Sequence, residues 1–91
     1  MNVLLVSYEL NAKPKEQYME LYSALKTANL WWHYIESIWL IATPKSPKEW
    51  HEILAPKITQ SDRLLIIEVK PNYYGWLVQE AWDWFSKAFK L

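Results

Sequence analysis

The sequence predicts an α+β fold: an antiparallel sheet built in the order strand, helix, strand, strand, helix, strand, with an amphipathic helix added at the C-terminus. Three observations carry this. Apolar, β-branched runs at residues 3–10, 31–43 and 63–69 alternate with segments of helical period at 14–28, 47–54 and 76–90. A complete helix-start signal stands at Ser46 to Glu49. The 91 residues suffice for one domain, with a core over 3–69 and the last helix over 76–90.

Val3 to Leu10 (VLLVSYEL) begins as a continuous apolar run and reads as a buried strand. Asn11 to Pro14 is a loop, and Pro14 suits the first turn of a helix. From there to Ala28, Tyr18, Leu21, Tyr22, Leu25 and Ala28 recur at the spacing of one helix face. Asn29 supplies the stop.

Trp31 to Thr43 (WWHYIESIWLIAT) contains no Gly or Pro and is too long for one strand of ordinary length. It divides into two strand segments meeting near Glu36 and Ser37; a bulge, a bend and a tight hairpin are all open as the join. In Ser46-Pro47-Lys48-Glu49 the serine caps the second helix, the glutamate completes a capping box, and Pro47 takes the first helical position. Trp50, Ile53 and Leu54 point inward, and Pro56 ends or kinks the helix near Leu54. Arg63 to Val69 (RLLIIEV) is apolar at successive positions and reads as a central strand. Pro71 to Gly75 is a loop holding the only glycine. In the last helix, Leu77, Val78, Ala81, Trp82, Trp84, Phe85, Ala88 and Phe89 fill one arc, which must lie on a sheet or a partner.

This order of the first six elements is the ferredoxin-like arrangement, with helices on one face of the sheet. Composition suits so short a chain: it is 52% hydrophobic, with seven Trp and six Tyr. Each ring that is buried removes roughly 150–250 Å² from water.

Composition also narrows the function classes. A single Gly argues against a Gly-rich phosphate loop, and the absence of Cys removes disulfides, thiolate nucleophiles and Cys-type zinc sites. Ten basic residues balance ten acidic ones, whereas dedicated nucleic-acid binders are usually basic. No apolar run approaches the ~20 residues of a membrane span, and the first residues read as a strand rather than a signal peptide. A cytoplasmic setting with no membrane contact is the expectation.

Three segments resemble the CRISPR-associated protein 2 superfamily, the small ferredoxin-like partner of the CRISPR integrase. More closely they resemble small uncharacterised relatives sharing Trp-Trp-His and Ser-x-Trp segments. Leu4 to Asn11 (LLVSYELN) matches the first strand, where the family usually ends in Tyr-Asp. Glu36 to Trp39 sits where the family has a Gln-x-Ser-apolar-aromatic signature, and Ser61 to Ile67 (SDRLLII) matches the Asp that opens the last core strand. The resemblance covers roughly residues 3–69. It implies a homodimer and a link to bacterial or phage defence. In active members it implies a divalent metal held between subunits by the Asp that closes the first strand. Glu9 occupies that position here. Its extra methylene moves the carboxylate by about 1 Å or more, and Mg²⁺ tolerates poor octahedral geometry badly.

Weighed residue by residue, Glu9 is a candidate metal ligand and catalytic carboxylate of a Mg²⁺- or Mn²⁺-dependent nuclease, against a solvated strand end. His33 is a candidate general base, against a histidine at a strand edge or interface. Ser37 has no base placed to activate it and reads as a strand-bend serine, and His51 reads as a surface residue. Trp31, Trp32, Tyr34 and Trp39 lack the interleaved Lys and Arg of a base-stacking platform, so core packing or a dimer interface is preferred. Tyr73, Tyr74 and Trp76 either form a binding pocket or pin the last helix. Lys13, Lys15, Lys45 and Lys48 make a basic edge only if their two loops are neighbours.

The expected function is a homodimeric, non-catalytic binding or interaction module that holds a protein or small ligand on an aromatic face, with no cofactor. The alternatives are a nuclease with paired Glu9 carboxylates across a dimer, and a small-nucleotide-binding protein.

Overall fold

A computed structural model describes residues 1–91. The elements are β1 (Asn2–Glu9), α1 (Met19–Leu25), β2 (Leu30–Ile35), β3 (Ile38–Thr43), α2 (Pro47–Leu54), β4 (Arg63–Glu68) and α3 (Gln79–Ala88). Short 3-10 turns precede α1 at Lys15–Gln17 and follow α2 at Ala55–Lys57. The four strands form one sheet in the order β2-β3-β1-β4, antiparallel at every junction. This is the ferredoxin-like α+β arrangement with an added C-terminal helix.

Strand alternation gives the sheet two apolar faces. Leu4 and Val6 of β1 and Trp39 and Ile41 of β3 join Tyr18, Leu21, Leu25, Trp50 and Leu54 in the larger core, under α1 and α2. Trp50 is oriented by its Nε1–H, which donates to the buried Thr43 hydroxyl at 3.0 Å. The capping box at the start of α2 forms as the sequence predicts: the Glu49 N–H donates to Ser46 Oγ, and the Ser46 N–H to the Glu49 carboxylate.

α3 covers part of the opposite face. Ala81 and Phe85 pack on Trp32 and Leu40, and Ala88 packs on Val3 and Ala42. Trp32 Nε1–H donates to the Ala81 carbonyl at 3.2 Å and ties β2 to this helix. The helix is shorter than its hydrophobic period suggests. Val78 is extended at φ −66° and ψ 154°, so residues 76–78 belong to the irregular connector.

Two further readings change. Residues 14–28 are not one helix, because Tyr18 has φ −94° and ψ 36° and breaks the spiral between the 3-10 turn and α1. Its hydroxyl is held by Asp62 at 2.8 Å, a tertiary bond that outweighs local helical preference. Arg63 to Val69 reads as a central strand but β4 is an edge. Leu64 and Ile66 pack against the larger core, while Leu65 and Ile67 on the other face stay 57% and 49% exposed. α3 lies over β2, β3 and the start of β1 and leaves that strip open.

The join between β2 and β3 is a hairpin turn at Glu36 and Ser37 together with a bulge. Pairing runs Trp32 with Leu40 and then Ile35 with Ile38, so His33 and Tyr34 together oppose Trp39. No residue in the chain has positive φ, so the turn is not one of the primed types that match strand twist. The bulge restores the twist locally and re-aims the side chains around it.

At the two ends of the chain, the Met1 ammonium donates to the Leu91 carbonyl. No helix is long and apolar enough to cross a membrane.

Candidate functional site

The bulge, the C-terminal end of β1 and the start of α1 converge on a cavity of about 720 Å³. Its aromatic wall is Tyr8, Tyr22 and His33, and its charged rim is Glu9, Lys15, Glu16 and Glu36. Beneath the wall lies Trp39, which is buried. The His33 imidazole stacks on the Trp39 indole at 4.0 Å and 17°, and Tyr22 stacks on it at 6.2 Å and 14°. Offset stacks of this kind contribute about 0.5–1.5 kcal/mol beyond the area they bury.

The polar groups of the wall are fixed by neighbours. Trp39 Nε1–H donates to the Tyr8 hydroxyl at 3.0 Å, and that hydroxyl donates to the Glu36 carbonyl at 3.2 Å. Tyr22 donates to the Lys15 carbonyl at 2.9 Å. His33 Nε2 lies 2.8 Å from the Glu36 carbonyl, which can only accept, so Nε2 carries the proton and Nδ1 is the acceptor. Burial, aided by Lys26, pushes the His33 pKa below its usual value and keeps the ring neutral at pH 7. Burial is also the main reason that the Tyr8 and Tyr22 phenols are raised. On the rim the Lys15 ammonium pairs with Glu36, and Arg63 Nε lies 3.4 Å from a Glu9 oxygen.

Comparison with protein-family models, with curated proteins and with solved structures finds no match to this chain.

Of the residues singled out in the sequence, Glu9 and His33 line this cavity, while Trp32 and Trp39 are buried in the two cores. Trp31 and Tyr34 are exposed on β2 and border a second hollow of about 500 Å³ with Glu80, Asp83, Trp84 and Lys87 of α3. Tyr73 packs on α3, its ring centroid 4.5 Å from that of Phe85 and 5.9 Å from that of Trp82, so it pins the helix. Tyr74 and Trp76 stand fully in solvent. The lysines do not form one edge. Lys13 and Lys15 follow the end of β1, while the Lys45 carbonyl accepts from the Asn2 side-chain amide at its start.

Glu9 sits at a strand end with Arg63 as its neighbour, and no group of three or more His, Cys, Asp or Glu is placed to hold a metal ion. The wall residues Tyr8 and Tyr22 and the rim residues Glu16 and Glu36 escape a reading of the sequence as site residues. Tyr8 and Tyr22 carry ordinary core periodicity, and the rim has no motif. Their convergence depends on β1 pairing with β3, which no local pattern encodes.

Proposed function

We propose that this chain is a self-associating interaction module, without catalysis, whose sheet continues into a second copy across a two-fold axis at β4. One observation carries the reading: β4 is an edge strand with apolar residues on both faces, and Leu65 and Ile67 have no cover. Edge strands of monomers are usually blunted by charge, proline or a covering segment. This one is not.

The register says how two copies would meet. Val69 N–H donates to the Val3 carbonyl, so by antiparallel alternation Leu65 and Ile67 bond inward to β1. The backbone groups of Leu64, Ile66 and Glu68 then point outward. Antiparallel pairing with Ile66 on the axis joins all three to their counterparts and sets Leu65 beside the partner's Ile67. The two exposed strips become one apolar patch. Residues around Tyr34, Trp76 and Val78 form a separate exposed hollow near β2, suited to a protein partner. The setting implied by the family resemblance, bacterial or phage defence, is part of this proposal and rests on the three sequence segments alone.

This geometry separates the proposal from a paired-Glu9 nuclease. Three strand spacings and six residues of stagger would put the two Glu9 carboxylates about 25 Å apart, too far to share one ion. Sedimentation equilibrium tests the proposal. The wild-type chain should be dimeric at tens of micromolar. The double variant Leu65→Lys, Ile67→Lys should be monomeric with an unchanged far-UV spectrum, since both side chains already face water. A wild-type protein that stays monomeric at about 100 µM would overturn it, as would metal-stimulated cleavage of RNA or DNA lost on Glu9→Ala.

A further inference from the structure

We infer that the cavity at the end of β1 binds a small organic cation, received on the aromatic wall of Tyr8, Tyr22 and His33 and by the carboxylates of Glu16 and Glu36. This site is independent of the β4 edge.

The argument begins with size. At about 720 Å³ the cavity lies within the range of small-ligand pockets, roughly 300–1,000 Å³. The donor inventory then selects the ligand's charge. Tyr8 O–H and His33 Nε2–H are both turned onto the Glu36 carbonyl, and Tyr22 O–H onto the Lys15 carbonyl. The Lys15 ammonium sits on Glu36. Among the lining side chains, this leaves the Ser37 hydroxyl as the one donor not already engaged in the wall. An anionic ligand such as a phosphate would therefore meet committed donors and three carboxylates.

A cation meets the opposite. The Tyr faces carry negative quadrupole density, worth about 0.5–2 kcal/mol toward a nearby cation. His33 is neutral and offers Nδ1 as an acceptor. Glu16 has no ion-pair partner, and Glu36 already holds an ammonium in the form of Lys15. That internal ammonium shows what chemistry the rim accepts, and a ligand cation would compete with it. Stacking on Trp39 and the anchored hydroxyls hold the wall in place before any ligand arrives, so little ordering cost is left for binding.

Choline and its uncharged isostere 3,3-dimethylbutan-1-ol are the probes, with adenosine monophosphate as the anionic control. Each is titrated into the wild-type chain and followed by tyrosine and histidine chemical shifts. Choline should saturate in the millimolar range and bind at least about tenfold more tightly than the isostere, a difference of about 1.4 kcal/mol. Glu16→Gln with Glu36→Gln should weaken choline at least fivefold and leave the isostere unchanged. Lys15→Ala, which removes the resident competitor, should tighten choline. Equal affinity for choline and the isostere, tighter binding of adenosine monophosphate, or no saturable shift by about 20 mM choline would each overturn the inference. The titration is repeated on the Leu65→Lys, Ile67→Lys variant, so that loss of self-association and loss of ligand binding are read apart.

Discussion

Replacing Asp62 by Ala should lower the thermal unfolding midpoint by about 12 °C or more, the fall expected for a loss of about 3–4 kcal/mol in a domain this size. Asp62 is buried just before β4, and its two oxygens gather three separate segments. Oδ1 accepts from the Asn11 N–H at 2.7 Å, the Ala12 N–H at 3.2 Å and the Tyr18 hydroxyl at 2.8 Å. Oδ2 accepts from the Thr59 N–H at 2.9 Å and the Thr59 hydroxyl at 3.3 Å. Hydrogen bonds to a charged acceptor contribute about 1.5–3 kcal/mol each, and removing the acceptor leaves the buried Tyr18 hydroxyl without its partner. Burial alone would raise the Asp62 pKa, but the N–H groups of Asn11, Thr59 and Ala12 and the Tyr18 hydroxyl outweigh it and hold the carboxyl well below the usual range.

The sign of the pH dependence follows. A carboxyl with a depressed folded-state pKa contributes stability that is fully present above its unfolded value, near 3.9, and is lost as pH falls through the folded one. Wild-type stability should therefore decline on acidification below about pH 4. Asp62→Asn should lose stability at pH 7, because its amide turns a donor toward Thr59, and should then show a shallower acid decline. Melts of the three proteins between pH 2.5 and 7 decide this. An Ala variant within about 2 °C of wild type, or an Asn variant with the wild-type acid slope, would remove Asp62 from this role.

Trp39→Ala should cost about 3–5 kcal/mol, the range for deleting a buried aromatic side chain. Trp39 is buried in the larger core, and the His33 and Tyr22 rings stack on it. The substitution opens a cavity there and leaves the Tyr8 hydroxyl without the indole donor at 3.0 Å. Trp39→Phe keeps most of the packing and loses that hydrogen bond, so it should cost only about 1–2 kcal/mol. Urea titration of both variants gives the comparison. A loss below about 1.5 kcal/mol for Trp39→Ala, or equal losses for the two, would mean that the indole is not the floor of the aromatic wall.

Much of the architecture is legible in local chemistry. The capping box places α2, and the aromatic run divides at Glu36 and Ser37 because thirteen β-forming residues exceed one strand. What was not legible depends on distant partners. Nothing in Lys15 to Ala28 announces that Tyr18 will leave helical geometry, because the cause is Asp62, forty-four residues away. In β4 the successive apolar positions predict burial on both faces, whereas Leu65 and Ile67 are open. Glu9 and His33 stand out in the sequence as chemically able residues. Their meeting with Tyr8, Tyr22 and Glu36 was hidden, since it needs the register between β1 and β3 and the bulge opposite Trp39.

The sheet's two cores have a consequence for how the molecule opens. The cluster beneath α1 and α2 draws on no residue beyond Ile66. The helix on the other side is reached through a connector without regular structure and sits over only part of the strands. Detachment of residues 70–91 can therefore precede global unfolding, as a cooperative unit of its own. Amide protons of α3 would exchange with solvent through that smaller opening, while those of β1, paired on both flanks, would wait for the whole domain to come apart.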